Sequence, residues 1–313
     1  ELEEALRSSL AQDFVDFEHL VVDDASPENS TQTVLEQIGD PRFRLIRLPQ
    51  SLGPAGARNA ALRQATGEYI AILDDDDVMA PGRLSKSIAS LDAHPEHALV
   101  AGWFEAIDAE SALHAIVRPP TGEQRIRDVL PFHNPFLHSS CLIRTAVMQK
   151  LGGFREPLRH AHDYDLILRL AEQGRIEILP EVLAGYRFHT ENITTRRGLL
   201  QGAYAEVARE CARRRAAGEP EQLEEQVAAI SVADDSGSNR RAEARVHYQI
   251  GEWMFRDGRV REARPWLRRA WKGEPFRPLC AGLLIASYTP AFLRRLLGPI
   301  FRPLAASRYA SWR

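Results

Sequence analysis

Cysteine is nearly absent from this chain. Cys141, Cys211 and Cys280 are the only three in 313 residues; they lie far apart and lack metal-ligand spacing. A disulfide framework and a thiolate zinc cage are excluded, and free, buried thiols in a reducing compartment are expected. Long apolar runs are missing as well. None reaches the roughly 18 residues needed to span a bilayer, and no signal peptide is visible. Charge of one sign is not in excess either: 40 Lys and Arg stand against 43 Asp and Glu, net −3. That is too little to suggest nucleic-acid binding. What remains is an ordinary globular composition, 44% hydrophobic and 27% charged, long enough for one large domain or two moderate ones.

The chain then alternates. "EHLVVDD" (18–24), "EYIAILDDDD" (68–77) and "HALVAGWFEAI" (97–107) are apolar runs of strand length, and "RFRLIRL" (42–48) alternates like a half-exposed strand. Between them lie helical patterns: "LEEALRSSL", "NSTQTVLEQIG" closing at Gly39, the Ala-rich "GPAGARNAALRQATG", and "APGRLSKSIASLDAH" with Pro81 near its first turn. Strands alternating with helices of this length predict βα units and a mostly parallel sheet covered on both faces. From Asp108 to Leu142 the pattern loosens into a short helix and a loop. "DYDLILRLAEQG" (163–174) is a clear helix, and "RIEILPEVLAGYRFH" predicts two short strands. Beyond about Thr195 the chain is Arg/Ala/Glu-rich and helical, with a polar break at Asp234–Arg240. There, "EARVHYQIGEWMFRDGR" and "VREARPWLRRAWKGEP" resemble one tetratricopeptide-like hairpin. A single such unit must pack on something else.

Two strands end in acid, at Asp23–Asp24 and at Asp74–Asp77. In an open α/β sheet, ligands collect at the carboxyl ends of strands. If these two strands are neighbours, their carboxylates converge on one crevice. Crowded carboxylates need a cation; hard oxygen ligands suit Mg²⁺ or Mn²⁺, and an ion held by few protein oxygens completes its shell with phosphates. A nucleotide-diphosphate ligand follows. The plainer reading is a surface turn followed by a helix cap.

The segments "LVVDDAS", "GPAGARNAAL", "GEYIAILDDDDVMAPGRL", "LGGFRE…HDYDLILRLAEQG" and "GYRFH" resemble, in order, those of the family 2 glycosyltransferases of the GT-A fold, over roughly residues 1–195. The resemblance implies a Rossmann-like, mostly parallel sheet with helices on both faces, followed here by a C-terminal helical region at 196–313. It implies inverting transfer of a sugar from a nucleotide-sugar donor, most commonly a UDP-sugar, with GDP and dTDP as other possibilities. The acceptor would be a hydroxyl of a glycan or lipid-linked glycan, as in cell-envelope polysaccharide synthesis. Asp24, with Asp23 beside it, would contact the base, and Arg58 would lie near the base or diphosphate. Asp74 would touch the ribose, Asp76 the Mg²⁺ or Mn²⁺, and Asp77 matches a common extra acid. Asp163 would be the general base, although Asp at that point also reads as a helix N-cap. Asp165 reads as solvated or structural. His189, and with less weight Arg187, would lie near the donor phosphates or metal, against a bland reading as structural residues.

The chain also departs from the family pattern. His162 stands where the family usually has Glu. If neutral it isolates Asp163, and if charged it lowers that residue's basicity. Ala25 replaces a usual Gly. The family's first strand and its Thr/Tyr/Asn loop would precede Glu1, so an N-terminally incomplete domain is expected. Acceptor choice is expected from Glu105–Leu142, where His133, Asn134 and His138 also read as loop hydrogen-bonders. Between Pro275 and Arg313 there are six Arg and no acid. An amphipathic, cationic segment there predicts peripheral contact with the inner face of the cytoplasmic membrane, against simple packing on the catalytic domain. Two rival functions stand beside the transferase: a sugar nucleotidyltransferase, and a catalytically impaired interaction protein.

Overall fold

The computed structural model describes residues 1–188, 198–230, 239–273 and 278–289. Helix α1 (Leu2–Leu10) leads into strand β1 (His19–Asp23), which pairs in parallel with β2 (Phe43–Arg47) in a two-stranded sheet. Between them, α2 (Ser30–Ile38) stops at Gly39, whose φ of 66° is the left-handed cap that glycine adopts without steric cost. α3 (Gly53–Leu62) carries Pro54 in its first turn.

The larger sheet has the order β3-β7-β5-β8-β4, with β6 beside β5. Its strands are β3 (Tyr69–Ala71), β4 (Val78–Met79), β5 (His97–Ile107), β6 (Leu113–Val117), β7 (Leu142–Arg144) and β8 (Arg175–Arg187). β7 runs antiparallel to both β3 and β5, and β4 antiparallel to β8. The Arg175 amide donates to the Glu96 carbonyl and the Phe188 amide to the Ile107 carbonyl; both pairs advance together, so β5 and β8 run parallel. The sheet of this α/β fold is therefore mixed. The helices around it are α4 (Arg83–Ala93), α5 (Glu123–Val129), α6 (Thr145–Lys150) and α7 (His162–Gln173). Leu99, Val100 and Ala101 of β5 are wholly buried, which is why this strand reads as a continuous apolar run.

Three local expectations change. β8 is one strand of 13 residues, not two. Its buried apolar side chains are Ile176 and Ile178, then Leu183 and Ala184, with Pro180 and Glu181 exposed between them. The alternation slips where proline cannot donate to the ladder, so the sequence looked like two pieces. β4 and β6 were hidden in segments too short or too polar to show a period. β1 and β3, the acid-tipped strands, lie in different sheets and are not neighbours.

The chain forms two compact units. The first comprises Glu1–Phe104, Arg118–Tyr186 and Tyr204–Ile230; the second comprises Glu105–Val117, Arg187–Ala203 and Ser231–Arg313. In the first, α8 (Gly198–Ala217) and α9 (Leu223–Ala228) add Val207, Ala208, Cys211 and Leu223 to the same core as Leu99, Ile143, Leu166 and Leu170. In the second, α10 (Asn239–Arg256) and α11 (Val260–Gly273) form the expected helical hairpin, followed by α12 (Pro278–Tyr288). That hairpin packs on β6: the His114 ring stands edge-on to Trp266 at 5.4 Å, and Arg259 donates to the His114 carbonyl. All three cysteines are free and buried. No helix among the described residues is long and apolar enough to cross a membrane. Of the basic tail, residues 290–313 lie outside the described residues.

A chain of ion pairs fastens α7 to α8 and its following loop. Asp165 is fully buried and bonded to Arg155 and Arg169; Arg155 also binds Glu221, and Arg215 joins Glu221 to Glu172. Asp165 is thus structural, and no candidate for a substitute base. Asp165→Ala leaves the buried Arg169 guanidinium without its carboxylate and removes one of the two that Arg155 holds; it is expected to cost about 3–5 kcal/mol, read as a lower midpoint in urea unfolding. Glu3→Ala, which breaks an exposed pair with Arg7, is expected to move the midpoint little.

Candidate active site

The site is organised by α3. At its start, the Asp24 carboxylate accepts bonds from the Ser51 hydroxyl (2.7 Å) and from the backbone amides of Leu52 (2.7 Å) and Gly53 (2.9 Å). These amides would otherwise be orphaned at a helix N-terminus, where negative charge is favoured. Asp23 is buried, accepts the Ser26 amide at 2.8 Å and lies 3.7 Å from Arg47. Farther along α3, Arg58 donates to Asp74 and to His162 Nε2 at 2.9 Å. The next residue, Asn59, clamps the Gly153–Phe154 turn: its Nδ2 donates to the Phe154 carbonyl at 2.9 Å and its Oδ1 accepts the Phe154 amide at 2.8 Å. Gly153 has a φ of +74°, and a Cβ there would lie 2.5 Å from Asn59 Oδ1, so only glycine fits. α3 thus joins the two acid-tipped strands that do not pair.

The four acids after β3 take four different environments. Asp74 is held by Arg58, Asp75 is exposed, Asp76 is half-buried, and Asp77 is buried, with its amide on the Asp74 carbonyl at 3.2 Å. Burial would raise the Asp74 pKa, but the Arg58 guanidinium outweighs it and holds the carboxyl below its ordinary value. Beneath them Arg83 is fully buried and donates to the carbonyls of Ile72 (2.7 Å) and Cys141 (3.0 Å). Burial lowers its pKa to about 10, against the pull of Asp77 and Asp74, so it stays charged at neutral pH. Four carboxylates against two guanidiniums leave two negative charges. That balance, with Asp74 and Asp76 on one tight turn, fits a hard divalent cation such as Mg²⁺ or Mn²⁺.

Asp163 is the second residue of α7, whose N-cap is Ala161. The capping alternative therefore does not hold, although the first turn still favours its charge. Asn134 donates to Asp163 Oδ2 at 3.2 Å and orients the carboxylate. Because Arg58 can only donate, His162 Nε2 must accept, which fixes a neutral ring with its proton on Nδ1. Burial, with Arg58 opposing the attraction of Asp163, lowers the His162 pKa. His138 is pushed down to about 3, by burial first and Arg58 next. Neither ring adds positive charge beside Asp163. Arg187 is fully buried, and its Nη1 holds the Asp108 carbonyl (2.7 Å), the Ala109 carbonyl (3.2 Å) and the Ser111 hydroxyl (3.0 Å) of the β5–β6 turn. His189 lies outside the described residues.

Asn59 and Arg83 were missed in the sequence. Asn59 was legible as the one neutral polar residue inside an Ala-rich helix. Arg83 sits in a helix start that gives no sign of burial.

The α/β architecture described above is that of the GT-A fold, and a solved structure supports it. Mannosyltransferase PcManGT from Pyrobaculum calidifontis, in complex with GDP-Man and Mn²⁺, aligns with a TM-score of 0.53 over 98% of this chain and 80% of its own, at 20% identity. Residues 1–152 match the model of the family Glycosyl transferase family 2. The match ends before Asp163. The succinoglycan biosynthesis protein ExoO of Rhizobium meliloti is 47% identical over 200 residues, covering 59% of this chain and 56% of that protein. The Escherichia coli WfgD, a UDP-Glc:alpha-D-GlcNAc-diphosphoundecaprenol beta-1,3-glucosyltransferase, is 31% identical over 178 residues, 56% of this chain and 66% of that protein. The chain thus spans less than two thirds of these relatives.

The Asp74 carboxylate stabilises the fold above its unfolded-state pKa of about 3.9 and stops doing so as pH falls through the depressed native value. Arg58→Ala is expected to raise that native value. The acid-unfolding midpoint, followed by circular dichroism, then moves to higher pH, and the Asp74 carboxyl carbon titrates later on acidification in the parent than in the variant.

Proposed function

We propose that this chain is an inverting, metal-dependent glycosyltransferase that moves a sugar from a nucleotide-sugar donor to an acceptor hydroxyl. The observation that carries the reading is the single guanidinium of Arg58, which joins Asp74 to His162, the residue next to Asp163. That contact supports reading Asp74 and Asp163 as parts of one site. Attack of the acceptor oxygen on the anomeric carbon forms the new glycosidic bond as the bond to the nucleoside diphosphate breaks. The acceptor proton passes to the Asp163 carboxylate, which Asn134 orients. One displacement inverts the centre and needs no second carboxylate nucleophile. Asp76 and Asp74 would hold Mg²⁺ or Mn²⁺, which when bound stabilises the charge developing on the leaving diphosphate. Arg58 can turn from Asp74 to that diphosphate, and Asp23 and Asp24 face the nucleotide base.

A UDP-sugar is the proposed donor, by analogy with the UDP-Glc named for the Escherichia coli relative. The relatives named for succinoglycan biosynthesis and for a diphosphoundecaprenol acceptor support a glycan or lipid-linked glycan as acceptor, in polysaccharide assembly.

Two variants separate binding from chemistry. Asp76→Ala is expected to abolish Mn²⁺-dependent UDP binding in calorimetry without changing the circular dichroism spectrum; unchanged affinity with Mn²⁺ would refute the metal assignment. Asp163→Asn retains the shape and the Asn134 neighbour but cannot take a proton. It should leave donor affinity near normal and lower UDP-sugar turnover by about 10²-fold or more. Normal turnover in this variant would remove Asp163 from the mechanism, and a parent protein without turnover or metal-dependent UDP binding would favour an interaction role.

A further inference from the structure

A second group of ligating side chains stands at the turn between α4 and β5, in the sequence His94-Pro95-Glu96-His97. Among the described residues it is the only set of three His, Cys, Asp or Glu side chains whose ligand atoms all lie within 4.8 Å of one another. It is remote from the acid cluster. β3 and β5 both run antiparallel to β7, hence parallel to each other. The start of β5 is therefore at the opposite edge of the sheet from the acids that follow β3.

The turn is built rather than loose. The His97 amide donates to the His94 carbonyl at 2.9 Å. The Arg144 guanidinium donates to the carbonyls of Leu91, His94 (3.3 Å) and His97 (2.9 Å). The two imidazoles stack with centroids 4.7 Å apart and an interplanar angle of 20°. Glu96 Oε1 is 3.6 Å from His94 Nδ1 and 3.7 Å from His97 Nε2. Ligands at about 2.1 Å from a tetrahedral ion sit about 3.4 Å apart, so all three reach one ion once the exposed His94 ring turns out of its stack on His97. His97 is the buried member, 9% exposed, and its other nitrogen, Nδ1, points toward the Glu177 carboxylate at 3.4 Å. Glu177 is itself held by the Ser90 hydroxyl at 2.8 Å. A carboxylate behind the non-ligating nitrogen is the arrangement that orients a metal-bound histidine. One competing cation is near, Arg175, 3.8 Å from Glu96; it is closer to Glu123, at 3.1 Å, and can remain there.

We propose that His94, Glu96 and His97 bind one first-row transition-metal ion of the zinc class, at a site separate from Asp74 and Asp76. Two imidazoles and one carboxylate favour Zn²⁺, Co²⁺, Ni²⁺ or Cu²⁺ over Mg²⁺ and Mn²⁺. Three protein ligands leave a fourth position for water, and the ion clips the end of α4 to the first residue of β5.

The test uses the tag-free full chain, stripped with chelator and titrated with Co²⁺ while the visible absorbance is read. One equivalent should give the intense bands of a four-coordinate ion, and Zn²⁺ should displace it. His94→Ala and Glu96→Gln alter half-exposed side chains and leave the Arg144 bonds to the turn intact. Each is expected to weaken Co²⁺ binding by at least about tenfold and to remove the rise in thermal midpoint that Zn²⁺ gives the parent. Asp76→Ala should keep the bands, which distinguishes this site from the catalytic one. The proposal is overturned if the parent shows no such bands, if they survive in both turn variants, or if Asp76→Ala abolishes them.

Discussion

The guanidinium of Arg58 is the constraint on which the crevice depends. It sits midway along α3 and holds the first acid after β3 on one side and the ring that precedes Asp163 on the other. Its helix is itself fixed at both ends, by Asp24 on the amides of its first turn and by Asn59 on the Gly153–Phe154 turn. Three chain segments far apart in sequence therefore share one rigid rail. The two sheets do not supply that link, because β1 and β3 are not paired.

Charge balance follows from the same arrangement. Two arginines, one facing the crevice and one buried beneath it, offset part of a four-carboxylate cluster that would otherwise repel itself. Two histidines could have added positive charge, but burial and the proximity of Arg58 keep them neutral. His162, which stands where the resemblance expects Glu, is thus a neutral ring, and no imidazolium lies beside Asp163.

The fold was legible where one signal dominated. The apolar runs of β1, β3 and β5, the Gly39 stop and the α7 face were all readable, because short apolar runs and helical periodicity leave direct marks. β4 and β6 were not, since a two-residue strand has no period and β6 begins on an exposed leucine. β8 was split in error because Pro180 interrupts its alternation, not its path. At the site, acids at strand ends could be read as a group, and so could the Arg of α3. What could not be read was which acid meets which arginine. The burial of Arg83 and the bond from Arg187 to the β5–β6 turn depend on tertiary neighbours more than 10 and 70 residues away, and local pattern carries no information about them.

The way α8 and α9 enter the first core has a practical meaning for anyone dividing this chain. Val207, Ala208 and Cys211 lie against the same cluster as the sheet and α7, and Glu221 closes the ion-pair chain begun by Asp165. A fragment cut near residue 195, where composition changes, would lay open an apolar strip and leave Arg155 without one of its two carboxylates. The smallest piece that keeps its own interior dry extends to about residue 230, so the boundary drawn by composition and the boundary drawn by packing differ by two helices.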